Sequence, residues 1–241
     1  MLIDIEKDPI GSALLDFYQQ GEDTAISVNL DIADEDSLMP SYFFRRYEAF
    51  PELEQEAMQQ CRGKVLDVGA GAGSHSLYLQ SQGFDVTALD VSPKSVDVMK
   101  ARGLNSVQLV DFFEYKEGSF ETILFLMNGI GLVKNLEGFT RFFKHVKSLL
   151  APNGQIILDS SDLIYMFEQE DGSYLIDINE AYHGEVEFHL SYKNIKGEPF
   201  NWLYVSEELL QDAAEENGFS CDIIQQGAHY DYLAKLSLKK P

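Results

Sequence analysis

Apolar residues in the first two thirds of the chain fall into short runs that alternate with amphipathic stretches. The runs at residues 65–68, 85–89, 107–110, 120–126 and 155–158 predict five strands, and near-continuous apolarity is typical of strands buried on both faces. Helical spacing between them predicts helices beginning near Ser74 and Ser92 and another over residues 138–150. Strands that alternate with helices predict an α/β fold, doubly wound around a mostly parallel sheet.

A different pattern marks the segment after the fifth predicted strand. Residues 186–192 alternate apolar and polar, and residues 200–205 are apolar and aromatic, which predicts a β-hairpin inserted at about residues 160–205. We expect this insertion to form a lid or a dimer contact on the substrate side. Its candidate substrate contacts are Tyr182, His183 and Trp202. His183 is a candidate general base, since the unperturbed pKa of histidine is about 6.5; a surface histidine without a partner is the alternative.

The two ends of the chain complete the predicted fold. A helix capped by Ser206 is expected to lead into two final strands around a turn at Gly227. Residues 1–63 are predicted to form an N-terminal helical cap, in which the acidic stretch at 31–36 is a solvated loop. An aromatic stretch in this cap offers Tyr42 and Arg45 as substrate contacts. Packing of the aromatic rings on the sheet, and pairing of the arginine with nearby acids, are the alternatives.

The charge of the chain narrows its possible partners. Its 18 lysines and arginines stand against 40 acidic residues, and the formal charge of −22 disfavours nucleic acids and anionic membrane surfaces. We therefore expect a small molecule or a protein as the partner, and a monomer or homodimer. The chain has two cysteines and no C-x-x-C motif, signal peptide or apolar run long enough to span a membrane. These features predict a cytoplasmic protein, and no metal site is expected.

The clearest chemical signal follows the first predicted strand. Three glycines at alternate positions, Gly69, Gly71 and Gly73, precede a helix, and Asp90 ends the next strand. Glycine lets a ligand approach the backbone, a helix start presents free N–H groups, and a strand-end acid accepts hydrogen bonds from ribose hydroxyls. Asp67 lies two residues before the first glycine, where its charge would repel a pyrophosphate and suit a cation. The stretch therefore predicts a bound nucleoside that carries positive charge.

The motif D-V-G-A-G-A-G, followed by L-D, resembles the first motif and second-strand acid of class I S-adenosylmethionine-dependent methyltransferases. The segment L-L-A-P-N-G-Q-I-I-L resembles the L-L-x-P-G-G segment of the same family. The resemblance implies a methyltransferase domain at residues 64–241, with a seven-stranded, mostly parallel sheet, helices on both faces and one antiparallel strand near the C-terminus. It also implies S-adenosyl-L-methionine as the cofactor and methyl transfer to a nucleophile as the reaction.

The same resemblance assigns roles to residues beside the strand ends. It implies that Asp90 binds the ribose and that Asp111 binds the adenine amino group, with Phe112 flanking the ring. The cofactor-binding candidates are Asp67, Gly69, Ala70, Gly71, Gly73, Asp90, Val91, Asp111, Phe112, Met127 and Asn128. The last of these begins N-G-I-G, where family members that methylate exocyclic amines often carry N-P-P-Y, so nucleobase or glutamine amide methylation is not expected. Gly129 allows a substrate to approach closely, and no catalytic residue is assigned.

Two other functions stay open at this stage. An NAD(P)-dependent oxidoreductase would carry G-x-G-x-x-G, and Ser74 stands where that pattern requires its third glycine. A non-catalytic protein that binds S-adenosylmethionine would carry the same cofactor motif as an enzyme. The sequence offers no acceptor-side motif that separates an active methyltransferase from such a non-catalytic protein.

Overall fold

A computed structural model describes residues 1–169, 171–176 and 181–239 of the chain. Within these residues the α-helices are α1 (Pro9–Gln20), α2 (Glu52–Gln60), α3 (Ser74–Ser81), α4 (Pro93–Ala101), α5 (Phe139–Leu149) and α6 (Glu207–Glu216). The strands are β1 (Ile26–Leu30), β2 (Ala33–Leu38), β3 (Val65–Val68), β4 (Val86–Asp90), β5 (Val107–Leu109), β6 (Phe120–Phe125), β7 (Leu150–Ser161), β8 (Glu185–Tyr192), β9 (Ile195–Lys196), β10 (Phe200–Leu203), β11 (Phe219–Gln226) and β12 (Asp231–Leu238). None of the described helices combines the length and apolarity needed to cross a membrane.

The larger sheet has seven strands in the order β11-β12-β7-β6-β3-β4-β5. The strands from β7 to β5 are parallel, whereas β12 is antiparallel to both of its neighbours. The predicted α/β architecture, with one antiparallel strand near the C-terminus, is therefore confirmed. Val68 of β3 lies opposite Leu89 of β4, so the carboxyl ends of these strands meet at one edge of the sheet.

Apolar side chains pack on both faces of this sheet. On one face, residues of α5 and α6 join a cluster that includes Leu66 and Phe125. On the other face, residues of α2 and α3 pack with Val65 and Leu124. Sequence neighbours enter opposite clusters because the side chains of a strand alternate between its two faces. Helices consequently lie on both faces, as predicted.

The order of strands reverses at β3. The chain runs outward from β3 to β4 and β5, and then returns to place β6 on the other side of β3. Ligands of open α/β sheets bind beyond the carboxyl ends of the strands at such a reversal. The candidate site therefore lies between the loop that follows β3 and the loop that follows β6.

A smaller sheet has the order β10-β8-β1-β2, with β9 paired to β8. β8 and β10 occupy the predicted hairpin and pair antiparallel, but β1 and β2 from the N-terminal segment extend the sheet beyond it. The prediction of a solvated loop at residues 31–36 is wrong, because these residues form the turn and much of β2. Backbone pairing there outweighs the low strand propensity of aspartate and glutamate. The N-terminal helical cap thus also contains strands, and its boundary at residue 64 stays a prediction.

Candidate functional site

The loop after β3 takes its shape from glycine. Gly69, Gly71 and Gly73 have φ angles of 73°, 57° and 81°, in the left-handed region that side chains disfavour. A Cβ atom at Gly69 would meet no atom within 4 Å, whereas one at Gly73 would lie 2.9 Å from Cγ of Met99. The first glycine therefore leaves open space beside the backbone, and the third allows α4 to pack closely. The loop is fixed to β4 by the Ala70 N–H, which donates to the Leu89 carbonyl over 3.0 Å.

Asp90 joins the glycine loop to the end of β4. Its Oδ2 accepts a hydrogen bond of 2.9 Å from the Gly71 N–H, and its Oδ1 accepts one of 2.8 Å from the Ser92 N–H. Burial raises the pKa of the Asp90 carboxyl to about 6, although these backbone donors oppose the shift. Each carboxylate oxygen keeps a further lone pair, so the group is able to accept from two ribose hydroxyls as well.

Asp67 lies beneath the loop. The residue is only 2% exposed, and its Oδ2 accepts a hydrogen bond of 2.6 Å from the Ser76 hydroxyl. Burial raises the pKa of this carboxyl above its ordinary value. The contact ties the end of β3 to the first turn of α3, which supports an ordering role for Asp67.

The remaining candidates on the cofactor side lie along the ends of β4 and β5. The Val91 carbonyl accepts from the Ile3 N–H over 3.0 Å, and Asp111 contacts the amino group of Met1. Burial acts to raise the pKa of Asp111, but that amino group and the Phe113 N–H outweigh it and lower the pKa overall. The first residues of the chain thus pass along this edge of the site.

Phe112 is placed in the core. It is 5% exposed, and its ring lies 5.2 Å from the ring of Phe125 and 4.7 Å from that of His145. Its carbonyl pairs with Nε2 of His145 over 2.7 Å. Contact between this aromatic ring and an adenine would require the ring to leave the core, so any contact from this residue would come through its backbone.

The loop after β6 is held by a carboxylate that the sequence analysis did not select. Met127 and Asn128 have φ angles of 59° and 56°, and two consecutive non-glycine residues in this region are strained. Asp159, near the end of β7, accepts from both backbone N–H groups, over 3.0 Å and 2.7 Å respectively. Burial raises the pKa of Asp159 to about 7 against the effect of these two donors. The one sequence feature that could have indicated this role is the position of Asp159 near the end of β7, the strand parallel to β6.

Trp202 covers this same loop from the smaller sheet. Its indole N–H donates to the Asn128 carbonyl over 3.0 Å, and a Cβ atom on Gly131 would lie only 2.0 Å from Nε1. Gly129 also packs closely, since a Cβ atom there would lie 3.4 Å from Cβ of Phe125. The two glycines therefore permit the loop to lie between β6 and the indole ring.

Four aromatic residues, which we call the aromatic wall, adjoin that contact: Phe188, Phe200 and Trp202 of the smaller sheet, and Tyr204 directly after β10. The rings of Phe188 and Phe200 stack at 5.5 Å, and the Phe200 and Trp202 rings lie 5.9 Å apart. Phe188 and Tyr204 are separated by 6.4 Å. Burial raises the pKa of Tyr204 to about 12, and the Tyr165, Asp159 and Asp36 side chains add to the shift. Tyr204 was not predicted, because no motif marks it.

Arg45 is committed to an ion pair inside the protein. Its Nη2 lies 2.9 Å and 3.0 Å from the two carboxylate oxygens of Glu54, and Nε2 of His75 lies 2.7 Å from one of them. The guanidinium also stacks over the Tyr42 ring, 3.4 Å from its centroid. The alternative in which Arg45 pairs with an acid is thus the one observed. Burial acts to raise the pKa of Glu54, but His75 and Arg45 lower it overall.

The segment that carries Tyr42 lies over the glycine loop. The Ser74 hydroxyl donates to the Phe43 carbonyl over 2.5 Å, and a Cβ atom on Gly71 would lie 3.4 Å from the Phe43 ring. Tyr42 has a raised pKa, mainly through burial, and the Asp159 carboxylate contributes to the shift. This segment therefore covers the glycine loop on the cofactor side.

The predicted pair in the insertion has local partners. Nε2 of His183 lies 3.0 Å from Oδ1 of Asp162, so the alternative of a surface histidine without a partner is wrong. The Tyr182 hydroxyl accepts from the Ser206 N–H over 3.1 Å, at the start of α6, and burial raises its pKa. Across the ranges that the structure covers, no group of three or more histidine, cysteine or acidic side chains is arranged to hold a metal ion.

Comparison with known proteins now decides the family. The methyltransferase domain family matches residues 41–222, more than half of the chain. The chain belongs to this methyltransferase family. The resemblance inferred from the glycine motif is confirmed.

A solved structure agrees with this chain along its whole length. The S-adenosylmethionine-dependent methyltransferase from Bacteroides fragilis, crystallised with S-adenosyl-L-homocysteine, is 44% identical, with a TM-score of 0.94, and the match covers 100% of this chain and 98% of that one. Two curated relatives are more distant. An uncharacterized methyltransferase of Staphylococcus carnosus is 25% identical over 78% of this chain and 84% of its own length.

A ubiquinone biosynthesis O-methyltransferase of Xanthomonas euvesicatoria is 30% identical over 45% of this chain and 47% of its own. The chain spans about half the length of two of the curated relatives that it matches.

Proposed function

We propose that the chain transfers a methyl group from S-adenosyl-L-methionine to a small-molecule acceptor. The observation that carries the proposal is the hydrogen bond between Asp90 and the glycine loop. One carboxylate oxygen of Asp90 accepts from the Gly71 N–H, beside the open backbone at Gly69. A carboxylate placed there accepts from ribose hydroxyls, and the Asp67 carboxylate beneath the same loop would repel a diphosphate. The 44% identity to a protein crystallised with S-adenosyl-L-homocysteine supports the same ligand.

The other cofactor contacts are proposed from the strand ends. Val91 and Asp111 lie beside the expected adenine position, and Ala70 adds a backbone N–H of the glycine loop. Met127 and Asn128 lie where the chain approaches the transferable methyl group, since the loop after β6 faces the glycine loop across the strand-order reversal.

Alignment is the main chemical task of these residues. A sulfonium is already a good leaving group, so the protein has to hold the acceptor in line with the methyl carbon and exclude water. Such orientation contributes about 7–11 kcal/mol in well-aligned pairs. The Asp159 contacts serve this task, because they fix the two strained residues at the start of the loop.

A small acceptor is favoured over a macromolecule by the cover on this side. Trp202 of the aromatic wall bonds to the loop after β6, the Tyr42 segment lies over the glycine loop, and the charge of −22 disfavours nucleic acid. The Xanthomonas relative, named for ubiquinone biosynthesis, supports a small acceptor as well. A cytoplasmic location and a monomeric or homodimeric state stay predictions from the sequence.

Thermal melting tests the cofactor. S-Adenosylhomocysteine and, separately, NADH are added at 100-fold over the dissociation constant, where a bound ligand adds about 2.7 kcal/mol. We expect S-adenosylhomocysteine to raise the melting temperature by roughly 5–10 °C and NADH to leave it unchanged. A shift with NADH alone would show a nicotinamide-dependent protein and overturn the proposal.

Labelled methyl donor tests transfer and the size of the acceptor. The protein is incubated with a cell extract that has been separated into small-molecule and protein fractions. We expect label in the small-molecule fraction only. Label confined to the protein fraction would replace the small acceptor by a protein, and no label despite tight binding of S-adenosylhomocysteine would favour a non-catalytic binding protein.

A further inference from the structure

The wall and the loop that it covers also indicate what kind of acceptor fits between them. We infer that the acceptor is an aliphatic amine with an apolar or aromatic body, whose ammonium group binds Asp159 and whose body lies on the aromatic wall. This inference rests on the proposed function, because it names the acceptor of the same reaction.

The aromatic wall suits the body of such a molecule. Its rings are half-buried, and Phe188 and Phe200 are within 9° of parallel, which presents a broad apolar surface. The indole of Trp202 is fixed by its hydrogen bond to Asn128, so the wall is held against the loop where methyl transfer is proposed. Aromatic faces also attract ammonium groups.

The charges beside the wall are negative. The carboxylates of Asp159 and Asp36 both add to the raised pKa of the Tyr204 hydroxyl. Asp159 also contributes to the raised pKa of Tyr42, which comes from a different segment. The Asp159 carboxylate itself lies beside the wall, since it accepts from the Asn128 N–H while the Trp202 indole donates to the Asn128 carbonyl. It would repel a carboxylate or phosphate acceptor and attract an ammonium group.

Arg45 and His183, the two basic side chains among the candidate substrate contacts, are already paired. Arg45 makes two hydrogen bonds to Glu54, which also binds His75, and His183 pairs with Asp162. An anionic acceptor would have to break one of these pairs to gain a partner. The site thus discriminates by charge, and it favours an amine over an acid.

Asp159 also supplies the proton chemistry that an amine requires. An ammonium nitrogen has no lone pair, so it must first lose a proton, and the Asp159 carboxylate accepts that proton. The nitrogen lone pair then forms a bond to the methyl carbon while the carbon–sulfur bond breaks and its electrons stay on sulfur. The products are a methylated ammonium, a neutral thioether and protonated Asp159, which releases its proton to solvent.

The surroundings of Asp159 suit this exchange. Burial raises its pKa to about 7, which is the range in which a carboxyl group exchanges protons near neutral pH. Glu54 adds to this shift and His75 opposes it, and the Asp159 carboxylate in turn raises the pKa of the Tyr42 and Tyr204 phenols. The N–H groups of Met127 and Asn128 hold it in place.

Fluorescence of Trp202, the chain's only tryptophan, tests the inference directly. Protein saturated with S-adenosylhomocysteine is titrated with 2-phenylethylamine, 2-phenylethanol and phenylacetate, which share a body and differ in the acceptor group. We expect the amine to change the emission and to bind about tenfold more tightly than the alcohol, as a charge-assisted hydrogen bond allows. Phenylacetate should bind more weakly still. With labelled S-adenosylmethionine, the amine should be the preferred methyl acceptor.

Two variants test whether the carboxylates bind the amine directly or only support the fold. Asp159→Asn should weaken binding of 2-phenylethylamine by about tenfold. Because that variant also alters the support of the loop, Asp36→Asn provides a second test and should weaken amine binding by a smaller factor, with S-adenosylhomocysteine affinity unchanged. The matched control is Asp212→Asn on the exposed face of α6, which should change neither affinity.

Three results would overturn the inference: tighter binding of phenylacetate or of the alcohol than of the amine, an amine affinity that neither variant changes, or no response of Trp202 to any probe while S-adenosylhomocysteine binds. A protein that fails to bind S-adenosylhomocysteine would instead refute the proposed function.

Discussion

The cofactor side and the acceptor side of the site are built in opposite ways. On the cofactor side, Gly71 and Asp90 belong to one strand–helix–strand unit and bond to each other across adjacent strands. On the acceptor side, Asn128, Asp159 and Trp202 come from three segments far apart in the chain, and they meet through hydrogen bonds to the Asn128 backbone. A local unit can be inferred from residue spacing, whereas a surface formed by distant segments depends on the tertiary fold.

The two sides also differ in how they accommodate unusual backbone. The loop after β3 places glycine wherever φ is positive, so its conformation has little steric cost. The loop after β6 places Met127 and Asn128 in the same region and relies on the Asp159 carboxylate to hold them. The cofactor loop is therefore expected to keep its shape through many substitutions elsewhere, while the acceptor loop depends on a single carboxylate.

The largest effect is expected from Asp90→Ala. The change removes the acceptor for the ribose hydroxyls and for Gly71, and two charge-assisted hydrogen bonds of about 1.5–3 kcal/mol each correspond to a loss of more than about 100-fold in affinity. Isothermal titration with S-adenosylhomocysteine measures this loss, and circular dichroism checks that the fold is intact. Asp85→Ala, an exposed acid next to the start of the same strand, is the control. Unchanged affinity in the first variant would remove Asp90 from the site.

Arg45→Met tests whether that arginine belongs to the site or to the fold. Removal of one partner from a buried ion pair costs about 3–5 kcal/mol, so the melting temperature should fall by roughly 6–20 °C. The affinity for S-adenosylhomocysteine should stay within about twofold, since the guanidinium is committed to Glu54. The exposed neighbour in Arg46→Met provides the control. A large loss of ligand affinity without a loss of stability would return Arg45 to the list of ligand contacts.

The same contrast explains how much could be predicted from the sequence. The strands of the larger sheet and the glycine loop follow from apolar periodicity and local motif spacing, which are properties of contiguous residues. The role of Asp159 could not be predicted, because an aspartate at a strand end has many uses and this role depends on β6 lying beside β7. The strand β2 was not predicted, because its acidic residues favour a loop and its pairing with β1 is a property of the folded chain.

A smaller effect is expected where the two sheets meet. Gly131→Ala places a methyl group within 2.0 Å of Nε1 of Trp202, which must then shift. Overpacking of this kind costs about 1–3 kcal/mol, and the Trp202 emission should change while affinity for S-adenosylhomocysteine stays the same. Adding Trp202→Phe to this variant removes the clashing nitrogen and should restore part of the stability, which thermal melting measures. A single variant as stable as the parent would mean that this contact is not close in solution.

The smallest effect concerns pH, and it distinguishes the two sides by their carboxyl groups. The pKa of Asp90 is about 6, raised by burial and by Asp8 against the Ser92 and Gly71 donors. Protonation removes an acceptor for the ribose, so affinity for S-adenosylhomocysteine should be constant above pH 7 and about tenfold lower at pH 5. Titration at several pH values measures this change, and in Asp90→Asn the remaining affinity should no longer vary over the range. Asp159, with a pKa of about 7, should instead affect the binding and methylation of an amine, which should rise as the pH increases through 7. An affinity for S-adenosylhomocysteine that increases below pH 6 would show that the protonated carboxyl binds the ligand, and would reverse the role assigned to Asp90.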